Sequence, residues 1–315
     1  MLVSQGMGRM LTHNFTYAAT LNDAIKVNWN VNDLIGGDKR LDFSKPFLPE
    51  SLAGVKGIAC LSAREKLLLN QIRGNSYLYL FRFVEEYILP FALDEARHVT
   101  PGGEPAEVQA LVTFAEEEAK HIHLFHRFGE EFKKGFHTPC EVIPGAADVS
   151  KVVLSHSRLG VALLTLHLEW MTQSHYVDSV KDDQDLDQQF ANLLKHHWME
   201  EAQHAKIDTM LVDKLATAGG APAIAKAFED FAALGGAVDG LLMNQVELDI
   251  GSLEAAAGRK LSDAEKTEIR TAQQRAYRYT FLASGLRHKN FLTTCDQLAP
   301  GSSEKMLAMA TQLAG

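Results

Sequence analysis

Apolar residues along this chain recur mostly at intervals of three and four positions, which is the spacing of helices that bury one face. The segments between these runs are rich in glycine, proline and aspartate, and they indicate loops. They read "TPGGEP" (100–105), "HTPCEVIPGAAD" (137–148), "KDDQDLD" (181–187) and "GGAP" (219–222). No alternating pattern of strand length occurs. The chain is therefore predicted to be all-α, with helices near 62–73, 75–98, 104–133, 151–181, 185–217, 221–234, 237–257, 262–294 and 303–313.

The helical pattern begins at a capping signal. Ser62 is followed three positions later by Glu65, which is the spacing of a capping box. The residues before it are mixed and contain two prolines in "DFSKPFLPESL" (42–52), so they predict an irregular lead-in with one short helix. We expect one domain over residues 1–315, divided into a lead-in over 1–61, a helical bundle over 62–217 and C-terminal helices over 221–315.

Composition and charge narrow the classes of partner. The chain is 46% hydrophobic and 23% charged, with a net charge of −9, and such a field disfavours nucleic acids and anionic membranes. The three cysteines are far apart and form no CxxC pair, which favours free thiols in a reducing cytoplasm. Residues 1–15 contain no continuous apolar segment, and no apolar run reaches 18 residues. We therefore expect a cytoplasmic protein without a secretory signal or a membrane span.

Two copies of a metal-ligand spacing stand on separate long helices. They are Glu118-x-x-His121 and Glu201-x-x-His204. Three helical positions place the two side chains about 60° apart, so a carboxylate and an imidazole can reach one ion. One such motif arises easily by chance. Two of them match the arrangement of di-iron bundles, in which two other helices each add a single glutamate.

The predicted helix over 151–181 contains one candidate for a single glutamate. Glu169 is the only acid between Lys151 and Asp178, in an apolar stretch. A buried carboxylate needs a cation or a proton, which favours a metal ligand over an acid at the helix edge.

The predicted helix over 75–98 offers two candidates, Glu85 and Glu86. Glu85 shares its face with apolar residues, whereas Glu86 lies four positions after Arg82 and suits a surface ion pair. We therefore prefer Glu85.

Distance from the predicted turns is an independent test of these candidates. Ligands that meet in an antiparallel hairpin must lie about equally far from its turn. Glu169 and Glu201 each lie 16 residues from position 185, and Glu85 and Glu118 lie 17 and 15 residues from a turn near 102–103. A third motif, Glu95-x-x-His98, lies too close to the turn and is predicted to be a surface feature.

The segment "HHWMEEAQH" (196–204) adds a further histidine. His197 is rotated only about 40° from Glu201 and shares the face of His204, whereas His196 points nearly opposite. His197 is either a metal ligand or a packed core histidine. Asp208, one turn beyond His204, is either a hydrogen-bond partner for a ligand histidine or a surface acid. The candidate ligands are Glu85, Glu118, His121, Glu169, His197, Glu201 and His204.

The order Glu, ExxH, Glu, HxxxExxH resembles the di-iron arylamine N-oxygenases, the p-aminobenzoate N-oxygenase group of the ferritin-like superfamily. "DFSKPFLPESLAG" and "LNQIRGNSYLYLFRFVEEYILPF" also resemble that family, so the likeness runs from about 30 to 295. It implies a ferritin-like four-helix bundle, a homodimer, and a non-haem di-iron centre that activates dioxygen and oxygenates an amine nitrogen of a small molecule. The family's electron donor is not identified by these motifs.

Carboxylate and imidazole ligands suit iron or manganese, so both Fe/Fe and Mn/Fe centres stay open. Glu118 and Glu201 would bridge the metals, with Glu85 and Glu169 terminal. The alternative functions are a ferroxidase or iron-handling protein, another di-metal oxidase, and a radical-generating or structural bundle. The helices after the site favour an enzyme with a substrate pocket over a storage shell.

Overall fold

The computed structural model describes residues 10–314, and within that range the chain is helical with no strand, apart from one isolated bridge between Gly36 and Lys39. The first nine residues, part of the segment in which we expect no secretory signal, lie outside it. No helix among the described residues has both the length and the apolarity to cross a membrane. In chain order the elements are α1 Tyr17–Ala24, α2 Val31–Leu34, α3 Glu50–Ala53, α4 Ala63–Val99, α5 Pro105–Gly135, α6 Ala146–Leu154, α7 Arg158–Ser174, a first π-helical segment His175–Val180, α8 Gln188–Ala257, α9 Asp263–Arg278, a second π-helical segment Tyr279–Ala283, α10 Ser284–Leu286, α11 Lys289–Leu298 and α12 Ser302–Ala314.

The lead-in contains three short helices, α1 to α3, where one was predicted. Asn70 on α4 holds its end in place. The Asn70 side-chain oxygen accepts the backbone N–H groups of Phe47 and Leu48, and its amide nitrogen donates to the carbonyl of Leu48. The last part of the lead-in therefore packs as a fixed layer against the bundle.

Helix α4 begins at the predicted capping box, where the Ser62 hydroxyl accepts the backbone N–H of Glu65. The predicted break at Gly74 is wrong, because α4 continues through it. A β-carbon at Gly74 would lie 2.9 Å from Cβ of Phe47, so the glycine allows the lead-in to approach the helix closely.

The predicted single helix over 151–181 is also wrong. It is divided into α6, α7 and the first π-helical segment, and the Ser157 hydroxyl caps α7 by accepting the N–H of Gly160. The π-helical segment holds His175, whose Nδ1 lies 3.0 Å from the Tyr77 hydroxyl and whose Nε2 lies 2.8 Å from the carbonyl oxygen of Thr280. His175 thereby connects α4, α7 and the second π-helical segment.

Helix α8 has two arms, because Gly220 adopts φ 62° and ψ −164°, values outside the helical region. This break confirms the loop predicted at 219–222. The second predicted break, at Gly235 and Gly236, is wrong, because the helix runs through both glycines.

The four long helices pair as two hairpins. Helix α4 packs mainly against α5, and α7 packs mainly against α8. The first arm of α8 joins the hairpins, because His197 contacts Glu85 on α4 and His204 contacts Glu117 on α5. Two ExxH helices and two single-glutamate helices in one bundle are the ferritin-like arrangement. Helices α9 to α12 and the second arm of α8 cover one side, and their apolar residues belong to one continuous core.

We expect Gly74→Ala to lower the free energy of unfolding by about 1–3 kcal/mol, because the added methyl group overpacks Phe47. Gly251→Ala is the matched control, since Gly251 lies in α8 with open space around it. The control should raise stability by up to about 1 kcal/mol through helix propensity. Thermal unfolding followed by far-UV circular dichroism measures both effects. Equal or higher stability for Gly74→Ala would contradict the packing argument.

Candidate metal centre

The bundle brings all seven candidate ligands into one buried cluster. None is more than 3% exposed, although each is polar and most can carry charge. They come from all four bundle helices, and their inner ends meet at one level. The cluster consists of Glu85 on α4, Glu118 and His121 on α5, Glu169 on α7, and His197, Glu201 and His204 on α8.

Glu118 and Glu201 occupy the middle of the cluster. The Glu118 carboxylate lies between two imidazoles, with Oε1 3.0 Å from Nδ1 of His204 and Oε2 3.9 Å from Nδ1 of His121. The Glu201 carboxylate does the same from the opposite helix, with Oε1 3.1 Å from Nδ1 of His121 and Oε2 3.4 Å from Nδ1 of His204. Each carboxylate therefore faces both ExxH histidines.

His197 faces the same space. Its Nε2 lies 2.7 Å from Oε1 of Glu201 and 3.2 Å from Oε1 of Glu85. Phe81 and Phe125 pack edge-on against its ring, with centroids 5.4 Å and 5.0 Å away. The imidazole is thus held by packing, with one nitrogen directed at carboxylate oxygens.

Glu86 and His196, which are adjacent in sequence to Glu85 and His197, lie outside the cluster. Glu86 is partly exposed and pairs with Arg82 at 3.1 Å. His196 lies on the outer side of α8, where its Nδ1 is 2.7 Å from the carbonyl oxygen of Asn192.

The donor atoms are close enough to surround two ions. Two sets of four residues each have ligand atoms within 4.8 Å of one another, and both sets contain His121 and Glu201. Both Glu118 oxygens and the inner nitrogens of His121 and His204 make no hydrogen bond within the described part of the chain. Buried polar atoms without partners are costly, and bound cations would satisfy these atoms. The residues therefore fit two metal ions. The two sets are Glu85, His121, His197 and Glu201, and Glu118, His121, Glu201 and His204.

Glu169 is joined to the cluster through a proton. Burial and the adjacent charge of Glu201 raise the pKa of Glu169 well above its ordinary value. Although burial opposes ionisation of Glu201, the nearby His197 and His204 hold the pKa of Glu201 well below its ordinary value. Without metal, Glu169 is therefore a carboxylic acid beside an ionised Glu201. Metal binding at Glu169 must displace that proton, so metal affinity rises with pH.

The outer nitrogens of the ExxH histidines bind carboxylates on the opposite helix. Nε2 of His121 lies 2.9 Å from Glu200, and Nε2 of His204 lies 2.8 Å from Glu117. Each partner directly precedes an ExxH glutamate, so the two helices exchange identical contacts. Because the outer nitrogen donates its proton to a carboxylate, the inner Nδ1 presents a lone pair toward the centre.

Sequence reasoning missed Glu117 and Glu200, although a signal was present. The motif repeats as "EEAKH" (117–121) and "EEAQH" (200–204), so the extra glutamate recurs in both copies. On a single helix, that glutamate is rotated about 100° from the ligand and points away from it. Its role becomes visible only when two helices lie side by side.

Asp208 is neither a surface acid nor a hydrogen-bond partner of a ligand histidine, which were the two roles predicted for it. It is fully buried, so it is not a surface acid. It also makes no hydrogen bond within residues 10–314, because the carboxylates described above already occupy the outer nitrogens of the ExxH histidines. Burial raises the pKa of Asp208 well above its ordinary value, so it stays protonated in the core.

The expectation for the third ExxH motif was wrong in one respect. Glu95 is buried rather than a surface feature, and both its oxygens bind the guanidinium of Arg158 at the start of α7. It does not join the metal-binding sets. His98 is partly exposed near Asp94. Glu95 therefore links α4 to the start of α7 through an ion pair in which the carboxylate is buried and Arg158 is exposed.

The lead-in covers the outer side of the centre. The indole of Trp29 is nearly parallel to the His121 imidazole, with ring centroids 6.3 Å apart. The Lys120 ammonium lies 4.3 Å from the Trp29 ring centroid and also pairs with Glu200. This layer excludes water from the face of the centre that carries the imidazoles.

Comparisons with known proteins identify similar solved structures, but no matching family model or curated protein. A scan against protein-family models and a search of curated proteins found no match. Among solved structures, the chain is similar to an R2-like ligand-binding oxidase variant with a Mn/Fe cofactor, with 15% identity, a TM-score of 0.42, and coverage of 84% of this chain and 93% of the other. A second variant, with an Fe/Fe cofactor, shows 15% identity, a TM-score of 0.44, and coverage of 86% and 98%. Such values assign no activity, and the fold and centre rest on this chain's own geometry.

We expect Glu169→Ala to lose at least one of two bound metals while keeping the helical fold, because the change removes a carboxyl group from the cluster. Glu86→Ala, which changes the adjacent partly exposed acid of α4, should keep both. Elemental analysis after metal loading, with far-UV circular dichroism, measures the outcome. Two metals per chain in Glu169→Ala would show that Glu169 is a spectator.

We expect Glu117→Ala and Glu200→Ala each to weaken metal affinity by about 10–100-fold, because a ligand histidine loses the acceptor that orients it. Glu116→Ala, an exposed neighbour on α5, is the control and should match the unmodified chain. Competition with a chromophoric chelator measures the affinity. Unchanged affinity in both variants would mean that these carboxylates do not position the histidines.

Proposed function

We propose that the protein is a non-haem di-metal oxidase that holds Fe/Fe or Mn/Fe and activates dioxygen. The observation that carries this proposal is the buried convergence of four glutamates and three histidines whose inner atoms lack other partners. Hard carboxylates with imidazoles suit iron and manganese, and no cysteine belongs to either metal-binding set. The cofactors of the similar oxidases agree with this choice of metals.

Glu118 and Glu201 are proposed as the bridging ligands, because each carboxylate faces both His121 and His204. Glu85 and Glu169 would each bind one ion, since α4 and α7 each contribute a single glutamate to the cluster. His197 is proposed as the third histidine ligand, because its Nε2 lies among the oxygens of Glu85 and Glu201.

The two sets of carboxylates and imidazoles would hold two redox-active ions, and those ions would supply electrons for the reduction of dioxygen. The chain's own groups supply orientation and protection. Glu117 and Glu200 fix the two ExxH imidazoles, and Trp29 with Lys120 closes the imidazole side against water. Glu169, a carboxylic acid before metal binds, releases its proton when it becomes a ligand. A dry, rigid site favours oxidation of a bound substrate over leakage to water.

The finer proposal is oxygenation of an amine nitrogen on a small molecule. It rests on the ligand order, Glu, ExxH, Glu, HxxxExxH, which resembles the arylamine N-oxygenases, and on the third histidine in particular. An apolar cavity next to the helices of Glu85 and Glu169 favours an enzyme with an organic substrate over an iron-storage protein.

We expect His197→Ala to keep most of its metal yet lose substrate oxygenation. Six candidate ligands remain to hold the ions, whereas a neutral nitrogen donor that shapes the reaction with dioxygen is gone. His196→Ala is the matched control, because its side chain lies outside the cluster. Metal analysis, dioxygen uptake and product formation from a panel of arylamines and aliphatic amines measure the split.

Loss of both metals in His197→Ala would contradict this separation of roles. Rapid iron oxidation without any product from the amine panel, in the unmodified protein, would replace the oxygenase proposal with a ferroxidase.

A further inference from the structure

One side of the bundle is not closed by direct helix packing. Helices α4 and α7, which carry Glu85 and Glu169, hardly touch each other. An apolar cavity of about 60 Å³ lies between them and is covered by α6, the second arm of α8 and the second π-helical segment. Val84 and Leu168 line it, and each directly precedes a candidate metal ligand. Neither ligand itself lines the cavity. Phe281 on its wall packs against Phe81, and Phe81 packs against His197, so two packed rings separate the cavity from the centre.

A larger groove of about 380 Å³ continues from this cavity toward the surface. Leu164, His167 and Leu282 line both spaces, so these three residues form the junction between them. The outer part of the groove runs between the second arm of α8 and α12. Together the two spaces make a passage from the surface to the aromatic rings that pack against the metal centre.

The groove is bordered by two glycines inside a helix, Gly235 and Gly236. A glycine in a helix interior is less favourable than alanine by about 1 kcal/mol. Packing does not require either glycine, since a β-carbon built at each position meets nothing within 4 Å. Their effect is to leave the groove free of side chains.

His167 provides the junction with a polar atom. It is fully buried, and its Nε2 lies 2.9 Å from the carbonyl oxygen of Leu282. A carbonyl oxygen only accepts, so Nε2 carries the proton and Nδ1 carries a lone pair. Nδ1 has no hydrogen-bond partner in residues 10–314. Phe231 and Phe291 pack edge-on against the ring, with centroids 5.7 Å and 5.4 Å away.

Among the described residues, the only charged groups that line the groove are Asp239 and Arg278, which pair with each other through two hydrogen bonds, and none lines the inner cavity. The passage therefore has no free charge with which to bind an ion, but it has one unused acceptor.

We propose that this passage admits the substrate and selects an uncharged, largely apolar molecule, such as a neutral aromatic amine, whose N–H or O–H group donates to Nδ1 of His167. This inference rests on the proposed function only in taking the bound molecule to be the substrate. The apolar walls exclude charged molecules because burial would strip their hydration. His167 distinguishes donors from plain hydrocarbons, since an unpaired buried acceptor is costly.

The test uses metal-free protein and two fluorescent probes of similar shape. Phenylnaphthylamine is uncharged and has one N–H, and phenylnaphthalene has none. We expect the unmodified chain to bind the amine about 5–10-fold more tightly, which corresponds to one net hydrogen bond of about 1 kcal/mol. Equal affinity for the two probes, or no binding of either, would overturn the proposal.

Two variants locate the binding. His167→Leu should lower amine affinity to that of the hydrocarbon, whereas His167→Gln, which keeps an acceptor and a donor, should restore part of the preference. Gly235→Leu should weaken both probes at least about 10-fold by filling the groove. Gly240→Leu is the matched control, because Gly240 is exposed on the same helix outside the groove, and it should change neither affinity. Unchanged binding in Gly235→Leu would place the probes elsewhere.

Thermal unfolding of each variant checks the fold, and the His167→Gln variant keeps the test informative if His167→Leu is unstable. Because the protein is metal-free, the result does not depend on dioxygen chemistry. Selective binding together with an iron-loaded protein that consumes no dioxygen would refute the proposed oxidase and leave the passage as a binding site.

Discussion

The structure depends on the burial of ionisable groups inside an apolar bundle. Four glutamates and three histidines share one buried space, and separating such charges from water costs several kcal/mol for each unpaired group. The chain offsets part of this cost by exchange between α5 and α8, where Glu117 binds His204 and Glu200 binds His121. Both Glu118 oxygens and Nδ1 of His121 and His204 remain without hydrogen-bond partners among the described residues. These buried charges destabilise the core without cations. The same charges favour the binding of two cations.

As a result, the side formed by α5 and α8 differs in structure from the side formed by α4 and α7. Helices α5 and α8 are tied together by carboxylate–imidazole pairs and covered by Trp29 from the lead-in, which leaves a rigid and dry wall. Helices α4 and α7 stand apart, and the C-terminal helices fill the gap incompletely. An ion pair between the buried Glu95 and the exposed Arg158 connects α4 and α7 near one end. Metal is therefore held from one side, and space for an organic molecule exists on the other.

Much of the architecture was predictable because the sequence signals of a helix lie within the helix and its caps. The capping box at Ser62, the all-α class and the loop at 219–222 follow from nearest neighbours in sequence. The errors concern where helices are interrupted. The helix predicted over 151–181 is divided between Leu154 and Arg158, and the one predicted over 262–294 is divided between Leu286 and Lys289. Glycines caused the opposite error. Gly74, Gly235 and Gly236 lie inside helices although they looked like breaks. Helix propensity depends only on residues of the helix itself. Gly74 is instead required by the close approach of Phe47, a residue 27 positions away.

By itself, the sequence determined the kinds of donor and the face on which each helix presents them, because helical angles depend only on spacing. The repeated EEAxH segment even contained the outer carboxylates. The tertiary structure alone decided what those residues meet. A carboxylate of one helix selects the histidine of another, Asp208 and Glu95 are buried rather than exposed, and His167 keeps a free lone pair at the junction of two spaces. Such contacts depend on the relative position of helices, to which residues far apart in the sequence contribute together.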